Sequence, residues 1–278
     1  MQDCVIVDVA LTITQSAKRH NHTIKKTMKR LWFFFGILIF LTACKSKQYI
    51  QHLAQAETTS IKLDTTATAA ADIEAIISPY RTTLEREMNI SIGELDTTIT
   101  KGKPNSNLGN WFADIVEASG RFIFEGQPID FAFQNYGGLR LKTLDKGSIK
   151  VGDIYSLMPF DNTLMLMTID RATLQQLINL MAADGGWPIS KPLSYTLQNQ
   201  QATDIQINNI PITERDSFHI LLPDYIANGG DDCFFLKNIP RRSSHLYIRD
   251  IIIEHLTKLQ TQGKTAPVDS TKRIKVMK

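Results

Sequence analysis

The chain has 278 residues, 43% of them hydrophobic, which is enough for one core of ordinary size. Its 31 basic and 28 acidic residues give a net charge of +3, but the surplus is local. Six Lys/Arg and two Asp fall within residues 1–44, leaving 25 basic against 26 acidic residues beyond, so the body has no basic surplus of the kind a nucleic-acid-binding domain keeps.

At the front, Met28-Lys29-Arg30 precedes an apolar run from Leu31 to Leu41 and then Thr42-Ala43-Cys44. A basic start, a short apolar stretch and small residues form the pattern of an export signal. The run is too short to span a bilayer, which takes about 20 residues. Leu41-Thr42-Ala43-Cys44 resembles the bacterial lipobox, in which the cysteine becomes the lipidated first residue. The expected organisation follows. Residues 1–27 are an extension ahead of the true start, 28–44 a lipoprotein signal peptide, 45–71 a polar flexible tether, and 72–278 one folded domain. Lipid on Cys44 predicts an extracytoplasmic, membrane-anchored protein of the bacterial cell envelope. Cys4 lies upstream and Cys44 carries lipid, so Cys233 is left alone and no disulfide is expected within the mature chain.

From Asp72 the pattern turns helical, with Ile73, Ile76, Ile77, Tyr80, Leu84 and Met88 at three- and four-residue spacing. A strand follows over Ile90–Thr100. Asn or Ser before Leu108 caps a helix reaching Phe122, whose apolar face is Leu108, Phe112, Ile115, Val116 and Ser119. Ile129–Gln134 reads as a strand ending at Asn135-Tyr136-Gly137-Gly138, and Ile149–Val151 and Leu164–Ile169 as further strands. Asp170 caps a helix through Leu174, Leu177, Ile178 and Met181 that Gly185-Gly186 ends. Leu193–Gln198 and Asp204–Asn208 form a hairpin around Asn199-Gln200-Gln201. Phe218–Leu222 is a strand. Ser243 or Ser244 caps a helix over Ile248–Leu259 with Ile251, Ile252, His255, Leu256 and Leu259 inward, and Arg273–Met277 closes as a strand. Helices and strands interleave irregularly, which predicts an α+β fold with a mixed sheet and packed helices rather than a doubly wound one.

Four segments carry the chemistry. Asn107-Leu108-Gly109-Asn110 opens a helix, and Asn135-Tyr136-Gly137-Gly138-Leu139-Arg140 ends a strand. Gly152 to Thr163 contains Pro159-Phe160-Asp161-Asn162. Tyr225-Ile226-Ala227-Asn228-Gly229-Gly230-Asp231-Asp232-Cys233-Phe234 follows the strand Phe218–Leu222. Paired glycines let the chain turn tightly and let a ligand approach the backbone. An aromatic six residues before a carboxylate offers a ring face and an acceptor to one small molecule, a shape that base plus ribose has. Each segment also has an ordinary reading: Gly-Gly-Asp as a turn, Phe160 as core, Arg140 as a surface residue, Asn135 as a turn stabiliser. Asp153, Tyr155, His219, His245 and His255 read as structural or exposed.

In order, spacing and residue type the four segments resemble the C-terminal, substrate-binding domain of the 5′-nucleotidases, the UDP-sugar hydrolase group, over roughly residues 72–278. The resemblance implies that Phe160 and Tyr225 sandwich a nucleobase and that Asp231 accepts hydrogen bonds from ribose hydroxyls. It implies that Asn135 bonds the base edge and that Arg140 reaches ribose or phosphate oxygens, with Gly137, Gly138, Gly229 and Gly230 forming the turns of the pocket. Tyr225 stands where the family usually has Phe. Members often carry an arginine and an acid just before the Asn-Leu-Gly-Asn helix; here the stretch is Lys103-Pro104-Asn105-Ser106, with Lys103 as a substitute point charge.

Full-length members hold two divalent metals in a separate N-terminal domain, through motifs such as Asp-x-His and Gly-Asn-His-Glu, and this sequence contains neither. No catalytic residue, cofactor or metal is therefore expected in this chain. The expected function is recognition of nucleosides or nucleotides within a split 5′-nucleotidase, the divalent metals lying in a separate metallophosphatase chain. A lipoprotein that binds nucleosides for a transporter, and an interaction domain with a decayed pocket, stand as the alternatives.

Overall fold

The computed structural model describes residues 71–277; the expectations for residues 1–27 and 28–44 with Cys44 lie outside the described residues, as does the tether expected over 45–71 except for Ala71, which already belongs to a helix. Helix α1 (Ala71–Met88) leads into β1 (Ser91–Leu95) and β2 (Ile99–Thr100). Then come α2 (Asn107–Ile123), β3 (Phe131–Ala132), β4 (Thr143–Leu144), β5 (Gly147–Lys150), α3 (Val151–Leu157), β6 (Thr163–Asp170) and α4 (Arg171–Ala183). The chain continues through β7 (Leu193–Gln198), β8 (Gln201–Ile207), β9 (Ile210–Pro211), β10 (Ser217–Pro223), the short α5 (Asp224–Ala227), β11 (Arg241–Tyr247), α6 (Ile248–Thr261) and β12 (Ile274–Met277). This is the expected α+β arrangement. No helix among the described residues is long and apolar enough to cross a membrane.

The central sheet has the order β11-β6-β10-β3, with β10 and β3 parallel and the other pairs antiparallel. A second sheet, β12-β7-β8-β9, is also mixed, β12 running parallel to β7. Alternate side chains of the central strands point to opposite faces. Leu164, Leu166, Ala132 and Leu221 enter one core with Trp111, Phe112, Ile251 and Ile252 from α2 and α6. Met167, Ile169, Phe131, Phe133, Phe218, Ile220 and Leu222 enter the other, with Leu174, Ile178 and Met181 from α4. A sheet covered on both faces needs nearly continuous apolar strands, which is why Leu164–Ile169 and Phe218–Leu222 are apolar but for Thr168 and His219, which face each other across the β6–β10 pair.

Helix caps follow the sequence where a side chain can reach the orphan amides. Ser106 accepts from the Gly109 N–H at 2.9 Å, and Asp170 accepts from Thr173 at 2.7 Å. Four local expectations change. The strand over Ile90–Thr100 divides into β1 and β2. The strand expected over Ile149–Val151 is β5, which stops at Lys150, and Val151 opens α3. There Asp153 accepts from the Lys150 N–H at 2.7 Å and closes the helix start. Ser243 and Ser244 do not cap α6; they lie within β11, and Tyr247 is the residue before the helix. The hairpin turn is the pair Asn199-Gln200, both left-handed at φ 50° and 61°, so β8 begins already at Gln201. The apolar stripe of α1 shares one face as expected, but Ile73, Ile76, Tyr80 and Leu84 are exposed.

Candidate functional site

The site forms where three central-sheet segments end on one side. β3 runs into Gln134 and Asn135, both buried, and then into a tight turn at Tyr136–Gly138. Gly138 has no room for a side chain: a Cβ there would sit 2.0 Å from Gln134 Nε2 and 2.7 Å from Asn135 Oδ1. The crowding orders a relay. Gln134 Nε2 donates to Asn135 Oδ1 at 2.7 Å, and Asn135 Nδ2 donates to Asp231 Oδ2 at 2.7 Å.

Asp231 comes from the turn after α5. Gly229 has φ +95°, and Asp231 and Asp232 are also left-handed at +47° and +63°, a region Asp tolerates better than most residues. The Gly230 N–H bonds back to the Tyr225 carbonyl at 2.9 Å. A Cβ on Gly230 would fall 2.5 Å from the Tyr225 ring, so the ring lies directly over that bare α-carbon. Its hydroxyl donates to Asp231 Oδ1 at 2.9 Å. This hydrogen bond, burial and the Asp231 charge together raise the Tyr225 pKa. Each carboxylate oxygen therefore holds one protein donor and keeps one acceptor position.

The third segment follows α3. Leu157 and Met158 are buried, Phe160 turns outward at 38% exposure, and the Arg140 N–H bonds the Leu157 carbonyl at 2.7 Å. The Arg140 guanidinium lies 6.0 Å from the Phe160 ring centre. Asn135, Gly137, Gly138, Arg140, Phe160, Asn162, Tyr225 and Asp231 line one cavity of about 320 Å³. The five side chains expected at a site thus converge, and Gly137 and Gly138 line the cavity with them. Gly229 and Gly230 do not line it; Gly230 lies under the Tyr225 ring, and Gly229 faces Phe234. Asn162 was not expected; it stands two residues beyond Phe160, within the same segment.

Lys103, expected as a point charge at the site, is committed elsewhere. Its ammonium meets Asp184 Oδ2 at 2.7 Å, and it does not line the cavity. Lys101 approaches the Tyr136 ring at 3.8 Å and Lys103 does so at 4.4 Å. Lys101 also donates to the Leu139 carbonyl at 2.7 Å, and burial, then the charges of Arg140 and Lys103, lower its pKa. Neither lysine was foreseen as an aromatic partner. Cys233 is enclosed, and burial, with Asp231 and Asp232 nearby, pushes its thiol up to about 12. His255 Nδ1 and Ser119 Oγ are 3.0 Å apart, and burial lowers the imidazole pKa.

Two other cavities are larger, about 340 Å³ between α2 and α6 and about 690 Å³ beside Arg273. In the larger one Arg273 pairs with Asp114 and Arg121 with Glu117, and neither cavity sets two rings around a carboxylate. Among the described residues no three His, Cys, Asp or Glu gather to hold a metal. The one carboxylate of the 320 Å³ cavity already serves Tyr225 and Asn135, so these residues do not fit a dinuclear metal site.

Residues 87–238 match the family model for the 5′-nucleotidase C-terminal domain. The chain belongs to that family. Family members elsewhere sit in longer proteins. A trifunctional nucleotide phosphoesterase of Bacillus subtilis is 26% identical over 204 residues, 66% of this chain but 14% of that protein. A probable 5′-nucleotidase of Treponema pallidum is 26% identical over 167 residues, 53% of this chain and 28% of that protein. Among solved structures, the 5′-nucleotidase precursor of Thermus thermophilus superposes with a TM-score of 0.64 at 21% identity, covering 73% of this chain and 43% of that one. A putative 5′-nucleotidase of Staphylococcus aureus gives 0.61 at 16% identity, covering 77% and 45%. These superpositions establish the 5′-nucleotidase C-terminal domain fold. The chain spans less than half of the nucleotidase chains it superposes on.

Proposed function

We propose that this chain is the nucleoside- and nucleotide-recognition subunit of a split 5′-nucleotidase. A base lies between Phe160 and Tyr225, Asn135 meets its edge, Asp231 accepts from ribose hydroxyls, and Arg140 reaches ribose or phosphate oxygens. Hydrolysis takes place on a separate metallophosphatase chain that carries the divalent metals. Lipid on Cys44 holds the protein at the cell envelope, facing out of the cytoplasm, where nucleotides are broken down to nucleoside and phosphate for uptake.

One observation carries this reading: two part-exposed rings and a carboxylate, drawn from distant parts of the sequence, meet on one cavity of about 320 Å³. That is the size of a small-ligand pocket. A ring face supports about 1–3 kcal/mol of stacking per base, and a carboxylate is a strong acceptor for a diol. The family supports a recognition role for this domain.

The test is calorimetric titration of the chain from residue 45 onward with adenosine, uridine and their 5′-monophosphates. Binding is expected, and Phe160→Ala and Asp231→Ala should each weaken it by about tenfold or more. No binding to any of the four ligands would overturn the proposal.

A further inference from the structure

Phe160 is a part-exposed ring on a segment without regular structure, between α3 and β6. A ring that stacks a base binds better when it is already held in place. Three links fix the segment just beyond it to the start of α6. Tyr247 pairs with Thr163 in the sheet, the Ile248 N–H donates to the Asn162 carbonyl at 2.9 Å, and Arg249 Nη2 donates to Asp161 Oδ1 at 2.8 Å. The first two are backbone links. The third is made by the side chain next to Phe160.

Arg249 stands in a costly position. It is 8% exposed, and it lies in the first turn of α6, where the helix dipole disfavours a cation. Its Nε has no hydrogen-bond partner, the nearest acid being Asp250 at 3.7 Å. Rings offset part of this cost: the guanidinium lies 4.2 Å from the Tyr155 ring centre and 6.0 Å from that of Tyr247. The fork is thereby held in one orientation, and the group it is aimed at is Asp161, whose own side chain is 69% exposed and would otherwise be free to turn.

We infer that Arg249 is a positioning residue for the base pocket: clamped on Tyr155 and Tyr247, it fixes Asp161 and through it the Phe160 ring. The inference rests on the proposed reading of the pocket as a nucleobase site.

The experiment measures adenosine 5′-monophosphate affinity and thermal unfolding for the chain from residue 45 onward, which contains both cores, and for Arg249→Gln, Asp161→Asn and the double variant. Each single substitution should weaken binding by about tenfold, and the double variant no further, because both cut one link. Asp161→Asn removes the charge facing the buried Arg249 but keeps an oxygen that can accept from Nη2, so it should lower the unfolding temperature less than Arg249→Gln, and it keeps the test valid if Arg249→Gln folds poorly. Unchanged affinity in Asp161→Asn beside a binding wild type would overturn the role of Arg249 and leave the pocket standing. Single effects that multiply to about a hundredfold in the double variant would place the two residues on separate paths and also overturn it. A wild type that binds nothing would overturn the pocket reading, and this inference with it.

Discussion

Two adjacent glycines separate backbone geometry from ligand geometry. Gly229 sits at φ +95°, so Gly229→Ala strains the backbone and should lower stability by roughly 1–2 kcal/mol in chemical unfolding. Gly230 is not left-handed, and its missing Cβ makes room for the Tyr225 ring. Gly230→Ala should therefore push the ring off its seat and weaken adenosine binding by about tenfold, with a smaller stability change than Gly229→Ala. Equal affinity in Gly230→Ala and wild type would contradict the seat. Tyr225, Asp231 and Asn135 were legible in the sequence because each stands at the end of an apolar run beside a turn signal. That Tyr225 donates to Asp231 was not legible: it depends on the turn bringing back a residue six positions on. Nor was the fate of Lys103, since its partner Asp184 lies 81 residues away.

Regular elements were legible wherever an apolar period ran long enough. α2 and α4 have caps and stripes that agree, and the packed helix and strand faces follow from them. α3 escaped because it is seven residues long and has Gly152-Asp153 in its first turn, which reads as a loop. β11 escaped because Arg241-Arg242-Ser243-Ser244 is polar; it is the edge strand of the central sheet, where such residues are at home. The serines at its centre look like caps for that reason. α1 teaches the opposite lesson. Its spacing gives the right face, but a period says only which residues share a side, and Tyr80 on that side is 76% exposed.

At the scale of the whole molecule, a buried ion network joins distant segments. Arg273, 5% exposed, donates to Asp114 at 2.6 and 2.8 Å, to Asp269 at 2.9 Å and to the Ile189 carbonyl at 2.6 Å. It ties the start of β12 to α2. Burial alone would raise the Asp269 pKa, but hydrogen bonds from Thr271 and the Arg273 guanidinium outweigh it and bring it down to about 2. The folded value lies below the ordinary carboxylate value near ~3.9, so the stabilisation is complete above about pH 4 and is lost as pH falls toward 2. Its size is roughly 2 kcal/mol. The stability gap between wild type and Asp269→Asn, followed by urea unfolding from pH 6 to pH 2, should close across that window. A gap that persists at pH 2 would place the effect elsewhere. The overall class was legible because both cores announce themselves in apolar runs; this network was not, since its members are up to 159 residues apart.

The central sheet also works as a partition. Its two faces feed separate cores, and the side chains of one never interleave with those of the other. Damage on one side is therefore not transmitted by repacking to the other. Ile252→Ala in the α6 core and Ile178→Ala in the α4 core should each cost about 2–5 kcal/mol, and their costs should simply sum to within about 0.5 kcal/mol. Such a chain can accept change in either half of its interior without renegotiating the other, while the ligand cavity sits at the end of the wall that divides them.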